Sequence, residues 1–326
     1  MIIDVHNHYY PPAFIDALRD SQSALTVRDD ADGNPVFHSP GDANIAVRGH
    51  RDIAYRQEVL DQDGVDRQLL SLTCPGTLLE TPDRSARLST LVNDAFAEVM
   101  ATRGSHFTAL ATLPLNDPAA SVKEFERVHT MGFKGCMLMG NVNGIPLADT
   151  RFWPLYQRAS DAKAVFYIHP TFPLGVEAMQ EYWLMPLVGF LFDTTLAAAH
   201  LVFAGIPERF PGIRWVLGHL GGTIPYLAER LDRGYEAFAA CRANIPKPPS
   251  RYLKDFYYDT VNFDPRALQL AIDFAGVSQI LAGSDYPHQI GSIPRMKHAI
   301  ESLDIPAADR ESILGGNAAR LLQMTL

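Results

Sequence analysis

The chain contains no stretch of the roughly 18 uncharged apolar residues that a bilayer-spanning helix requires. The nearest, Tyr182 to Phe192, runs into Asp193 and an alanine-rich helical pattern, so no membrane partner is expected. Lysine and arginine never cluster, and 28 of them against 37 acidic residues leave a net charge of −9. Phosphate backbones need a basic face. Nucleic acid is therefore not an expected partner, and an acidic substrate has to be met by individual arginines. Cysteine is scarce: Cys74, Cys136 and Cys241 are an odd number, widely spaced and without a CxxC pair. This usage predicts reduced, structural thiols and a cytoplasmic protein. No basic segment followed by an apolar core opens the chain, so no secretory signal is expected. Low-complexity linkers and internal repeats are also absent.

What is present is a regular alternation. With 47% hydrophobic and 20% charged residues over 326 positions, there is ample material for one core. Short β-rich runs occur at Ile2–Val5, Gln68–Leu72, Thr108–Leu113, Gly135–Met139, Val165–His169, Arg214–His219, Phe256–Thr260 and Gln279–Gly283. Amphipathic helical patterns lie between them, including Arg84–Arg103, Ala119–Met131, Phe152–Ala162, Ile224–Ala240 and Pro265–Phe274. This alternation predicts an α/β protein, a distorted (β/α)8 TIM barrel forming a single domain over 1–326. Two regions depart from it. An insertion of about residues 9–50, rich in Gly, Pro, Asp and Ser between Asp29 and Gly41, is expected to be an excursion over the barrel mouth. Pro173 to Pro207, with Trp183, Phe190 and Phe192, carries more apolar surface than one helix face needs and predicts a pocket wall or a subunit contact.

Barrel enzymes place their chemistry at the C-terminal ends of the strands. The first run, Ile2-Ile3-Asp4-Val5-His6-Asn7-His8, ends in two histidines spaced i, i+2, which share one face of a strand. His169 ends the fifth run, His219 the sixth, and Asp285 follows the eighth. Imidazoles plus a carboxylate with one open position suit catalytic Zn²⁺ or another divalent first-row metal. His288, three residues after Asp285 on the same mouth, is a candidate substrate contact. His38, His50, His106, His129, His200 and His298 have no arguable partner and are expected to be structural or solvated. Among the aromatics Tyr9, Tyr10, Phe172, Trp183 and Phe190, the best candidates for stacking on a substrate ring are Phe172 and Trp183.

Taken together, the opening Ile-Asp-Val-His-Asn-His, Gly132-Phe133-Lys134-Gly135, Tyr167-Ile168-His169-Pro170, Gly218-His219-Leu220-Gly221-Gly222, Phe256-Tyr257-Tyr258-Asp259, Gly283-Ser284-Asp285-Tyr286-Pro287 and Gly316-Asn317-Ala318-Ala319-Arg320-Leu321 span nearly the whole chain. In this order they resemble the amidohydrolase superfamily, in the branch of aminocarboxymuconate-semialdehyde decarboxylase and related aromatic-acid decarboxylases. The resemblance implies one divalent metal, zinc with manganese as the alternative, held by His6, His8, His169 and Asp285. It implies His219 and Asp285 as catalytic groups, a small-molecule carboxylic acid as substrate, CO₂ as product, and a homodimer or tetramer. Hydrolytic relatives bridge two metals with a carbamylated lysine at the end of strand 4, and Gly135-Cys136-Met137-Leu138-Met139 has no lysine. A binuclear hydrolase is thus disfavoured, while a mononuclear hydrolase (lactonase or amidohydrolase) or a hydratase stands as the alternative to a decarboxylase.

The same resemblance points to Arg48 as the group that meets the substrate carboxylate, with the spacing shifted by about one residue and Arg51 competing. A second arginine, donated by the neighbouring subunit in the muconate enzyme, corresponds to Phe238 or its vicinity here. That favours a hydroxybenzoate-type acid over a muconate-type one. Two proton routes stay open: His219 activating water for addition, or Asp285 protonating an ortho-hydroxybenzoate ring.

Overall fold

The computed structural model describes residues 1–39 and 42–324; Pro40 and Gly41, at the end of the Gly- and Pro-rich stretch, lie outside them. Every β-rich run forms a strand: Ile3–His8, Arg67–Ser71, Phe107–Ala109 continued by Ala111–Thr112, Gly135–Met139, Val165–His169, Arg214–Leu217, Tyr257–Asp259 and Ile280–Leu281. They pair in parallel and in chain order within two sheets. Leu110 alone separates Phe107–Ala109 in one sheet from Ala111–Thr112 in the other. At the opposite edges, Val5 N donates to Ala282 O at 2.9 Å and His8 N to Tyr286 O at 2.8 Å. The protein is α/β, with parallel sheets covered by helices.

The helices start where local chemistry directs. Asp117 precedes Pro118, and its carboxylate accepts from Ala119 N and Ala120 N to begin helix Pro118–Thr130. Asp264 and Pro265 repeat the device for helix Pro265–Ala275. An acidic cap satisfies N–H groups that have no partner within the helix, and proline at the first position forfeits none. Between helices and strands lies a core containing Phe96, Phe125, Tyr156, Phe166 and Trp215. A second cluster comes from the other face of the strands: Ile3, Val5, Leu69, Met137, Val165, Tyr167, Val216 and Leu281, joined by Ala318, Ala319 and Leu321 of the C-terminal helix Asn317–Leu321. Apolar side chains thus fill the N-terminal half of this inner space. The C-terminal strand ends are left to polar groups.

The first strand breaks its own alternation. Asp4 pairs with Gln68 and Asn7 with Leu70, so three residues on one strand advance against two on the next. This bulge re-aims the side chains beyond it. Ile3 and Val5 join the inner cluster, yet His6, of opposite parity, also meets the inward Tyr167 with ring centroids 5.6 Å apart.

Between the first two strands the chain forms helix Pro12–Leu18, an antiparallel sheet of Thr26–Asp29, Pro35–Ser39 and Asp42–Ile45, and a short helix Arg48–Arg51. Three expectations need correction. The sixth strand stops at Leu217, because His219 and Leu220 take left-handed φ of 52° and 56°. Helix Ile224–Ala237 ends before Phe238, which is extended. Finally, Met185–Phe203, a π-turn running into an α-helix, is 19 residues with mean hydropathy 1.5, long and apolar enough by length and composition to cross a bilayer. The charge that interrupts it in sequence, Asp193, is buried and hydrogen-bonded to Thr171 N and Asn141 Nδ2 within the protein.

Candidate metal centre

Three imidazoles are anchored through the same nitrogen. His6 Nδ1 lies 2.5 Å from Asp259 Oδ2, His8 Nδ1 3.1 Å from Ser71 Oγ, and His169 Nδ1 2.7 Å from Pro170 O. Ser71 Oγ gives its own proton to Asn7 O, so it accepts from His8. Each partner therefore assigns the proton to Nδ1 and leaves a lone pair on Nε2. Those lone pairs converge: His6 Nε2 and His8 Nε2 are 3.1 Å apart, and Asp285 Oδ1 stands 3.5 Å and 3.2 Å from them. Donor atoms of His6, His8 and His169 all lie within 4.8 Å of one another. With no proton left to share, such an arrangement is repulsive until a cation enters it.

Asp285 and His219 reach this point through strained backbone. Asp285 has φ of 58°, its N–H donates to His6 O at 2.8 Å, and its buried Oδ1 has no hydrogen-bond donor among the described residues. Gly283 makes the approach feasible, since a Cβ there would lie 2.7 Å from His6 Cβ. Burial pushes the Asp285 carboxyl above the usual range, against the nearby imidazoles. His219 Nδ1 is likewise buried without a partner. Burial pushes this imidazole down to about 3, leaving it neutral.

A cavity of about 150 Å³ opens over these groups. Its polar floor is His169, His219, Asp285 and His288; Trp183, Leu187, Phe190 and Ile290 form apolar walls, and Ala43 to Ile45 of the segment between the first two strands close one side. His6, His8, His169, His219 and Asp285 are thus brought together, with Trp183 and His288 at the cavity. Phe172 is not: it lines a separate cavity with Leu78, Asn141 and Pro173, because the chain turns away after His169. Arg48 is also outside. Its Nε pairs with Asp52 at 2.9 Å, its guanidinium covers the Tyr55 ring, and its side chain is 62% exposed. The i, i+4 spacing supplies a nearer carboxylate than the cavity can. Arg51 bonds Ala46 O and Asn34.

Two residues that the sequence did not single out hold the centre. Asp259, ending the seventh strand, accepts from Tyr167 OH, His219 N and Leu220 N as well as His6. Burial opposes its ionisation, yet the hydrogen bonds from His6 and these other donors hold it at about 2. Arg56 is fully buried; it donates to Gly49 O, Asn7 Oδ1 and Gln68 Oε1, and to the carbonyl of His8 itself. A carboxylate at a strand end was the available signal for Asp259. Nothing in the sequence distinguishes Arg56 from a solvated arginine.

The sequence profile of the amidohydrolase family matches residues 3–324. Among curated proteins, 2-amino-3-carboxymuconate-6-semialdehyde decarboxylase of Dictyostelium discoideum is 30% identical over 272 residues, 82% of this chain and 75% of its own length. Among solved structures, 5-carboxyvanillate decarboxylase from Sphingomonas paucimobilis superposes with a TM-score of 0.87 at 28% identity, covering 99% of both chains. A dihydroxybenzoic acid decarboxylase from Polaromonas sp., solved with manganese and the inhibitor 2-nitroresorcinol, gives 0.83 at 26% identity over 99% of this chain and 96% of its own. This chain belongs to the amidohydrolase family.

Proposed function

We propose that this protein is a metal-dependent, non-oxidative decarboxylase of a small hydroxybenzoate-type acid. The observation that carries the reading is the convergence of three Nε2 lone pairs and one carboxylate beneath a cavity lined, among the described residues, by no lysine or arginine. An acid entering such a cavity finds its positive charge only in the metal. The cavity volume, about 150 Å³, is that of an engineered cavity that admits benzene, which suits a single ring. Relatives named for aromatic and muconate-type decarboxylation support the reaction class.

A bound metal would supply Lewis acidity to polarise the substrate acid. His6, His8, His169 and Asp285 would hold the metal. Phe190, Leu187 and Trp183 orient the ring and exclude water. Asp285 delivers a proton to the ring carbon that bears the carboxylate; that C–CO₂ bond then breaks, and its electrons restore the aromatic ring. Neutral His219 serves as the base that holds a substrate hydroxyl proton.

We further propose a distorted (β/α)8 barrel, supported by the shared edge at Leu110 and the backbone bonds from Val5 and His8 to the eighth strand's end, with residues 9–50 as an excursion over its mouth. Zinc is proposed as the resident ion on the donor set, with manganese as the competitor. A homodimer is proposed, supported by the exposed stripe Leu187, Val188, Phe192 and Leu196, and a cytoplasmic location, supported by the scarcity and wide spacing of cysteine and the lack of a CxxC pair. Metal analysis tests the zinc, and sedimentation tests the homodimer. The function itself is tested by supplying zinc- and manganese-loaded protein with a panel of 2-hydroxybenzoates, aminocarboxymuconate semialdehyde and aryl lactones. CO₂ from a hydroxybenzoate is expected. Lactone opening without CO₂, or equal turnover of the muconate acid, would overturn the proposal.

A further inference from the structure

One histidine at the centre is left over by the chemistry above, and another lies behind it. His288 lines the cavity beside Asp285, its N–H donating to Asp285 O at 3.0 Å. Ligand atoms of His8, Asp285 and His288 lie within 4.8 Å of one another, and the His8 and His288 rings are 4.9 Å apart. Behind it sits His50, 1% exposed, with neither ring nitrogen hydrogen-bonded among the described residues. Its ring stacks on Tyr10 at 5.1 Å and faces His288 at 4.9 Å.

A buried imidazole without a partner loses the hydrogen bonds that water would give it, and such a group in a native fold calls for an explanation. The other histidines of the centre suggest one. Each of His6, His8 and His169 hands its second ring nitrogen to an acceptor behind it, namely Asp259, Ser71 and Pro170 O. The His50 ring lies 4.9 Å from that of His288, with no hydrogen bond between them among the described residues.

We propose that His288 is a fifth protein ligand of the metal, approaching from the cavity side of the His8 and Asp285 donors, and that His50 is the positioning residue for its second nitrogen. This rests on reading the site as a metal centre. It adds a consequence: an acid that binds the metal competes with an imidazole of the protein, so His288 sets both metal retention and the ease of substrate entry. His50, expected from the sequence to be structural, is built into that device.

The test is binding, independent of turnover. Metal-free protein is titrated with Mn²⁺, the free aquo ion being followed by EPR, and the Co²⁺-loaded protein is examined by visible absorption. His288→Gln is expected to weaken Mn²⁺ binding by about 10–100-fold and to shift the Co²⁺ bands; His50→Phe, which keeps the stack on Tyr10, is expected to weaken it by about 10-fold, as loss of a supporting partner does elsewhere. A His50→Gln variant, offering an acceptor again, should recover part of the loss. Thermal melts of the metal-free variants confirm that each is folded. Wild-type affinity and an unchanged Co²⁺ spectrum in both His288→Gln and His50→Phe overturn this inference alone. Absence of stoichiometric Mn²⁺ binding by the wild type overturns the metal-centre reading on which it rests.

Discussion

Asp259 Oδ2 lies 2.5 Å from His6 Nδ1, and the same carboxylate accepts the backbone N–H groups of His219 and Leu220. One side chain therefore fixes the tautomer of a proposed ligand and the left-handed turn that presents the proposed base. Asp259→Asn replaces a charged acceptor by an amide. We expect metal affinity to fall by about 10–100-fold, with the fold retained, as measured by titrating the metal-free protein; an affinity unchanged from wild type would contradict the role.

Asp285 is assigned both a place among the donors and the proton. Asp285→Asn keeps the shape and removes the acid. Turnover should fall by at least about 10²–10⁴-fold, the usual worth of a positioned acid, in protein saturated with metal. If saturated Asp285→Asn protein still releases CO₂ at the wild-type rate, the proton comes from elsewhere.

Arg48 is exposed and occupied by Asp52 and Tyr55. Arg48→Ala should change kcat/KM by less than about 3-fold, because an exposed pair of this kind contributes little, ~1 kcal/mol or below. A large rise in KM would place Arg48 on the substrate after all.

Asp193 provides a pH dependence that can be isolated. Burial raises its carboxyl to about 6, although Thr171 N–H and Asn141 Nδ2 favour the anion. The ordinary value is 3.8, so between that pH and about 6 the folded protein binds the proton more tightly than the unfolded chain. Stability from this group is present in full below the ordinary value and is lost as pH rises through about 6. Asp193→Asn should therefore remove a decline in stability across that window, seen as a smaller difference between denaturation curves at pH 4.5 and 6.5. Equal slopes in the two proteins would rule the assignment out.

Arg56 contributes at least four hydrogen bonds from a site without solvent, and burial pushes its guanidinium down to about 10. Arg56→Met leaves Gly49 O, His8 O and two amide oxygens without their donor. At about 1–3 kcal/mol for each orphaned group, a loss of at least ~3 kcal/mol is expected from urea unfolding, together with weaker metal binding through His8. A loss under about 1 kcal/mol would mean that water or other donors take its place.

How much of this was legible before folding depends on the range of the cause. The strands are marked by short apolar runs and the helices by Asp-Pro starts, both local effects, so the positions of all eight parallel strands are readable along the chain. The residues of the centre are readable for a related reason: His6, His8, His169 and Asp285 sit where strands end, and strand ends are where a parallel α/β architecture gathers chemistry. Misplaced boundaries trace to causes that are not local. His219 lies past its strand because Asp259, forty positions away, captures its N–H. Met185–Phe203 tolerates an aspartate because Asn141 and Thr171, distant in sequence, receive it.

The i, i+2 spacing of His6 and His8 determined that the two imidazoles act as a pair; the bulge between Asp4 and Asn7 decided that they face inward together with Val5, against strict alternation. Composition determined that an acid could be met only by a few cations. The tertiary structure decided that neither Arg48 nor Arg51 reaches the cavity, because each finds a local partner first. Residue type and spacing act within a few positions, whereas the partners that fix a tautomer, bury a charge or leave His50 unpaired are brought together only when the eight strands assemble.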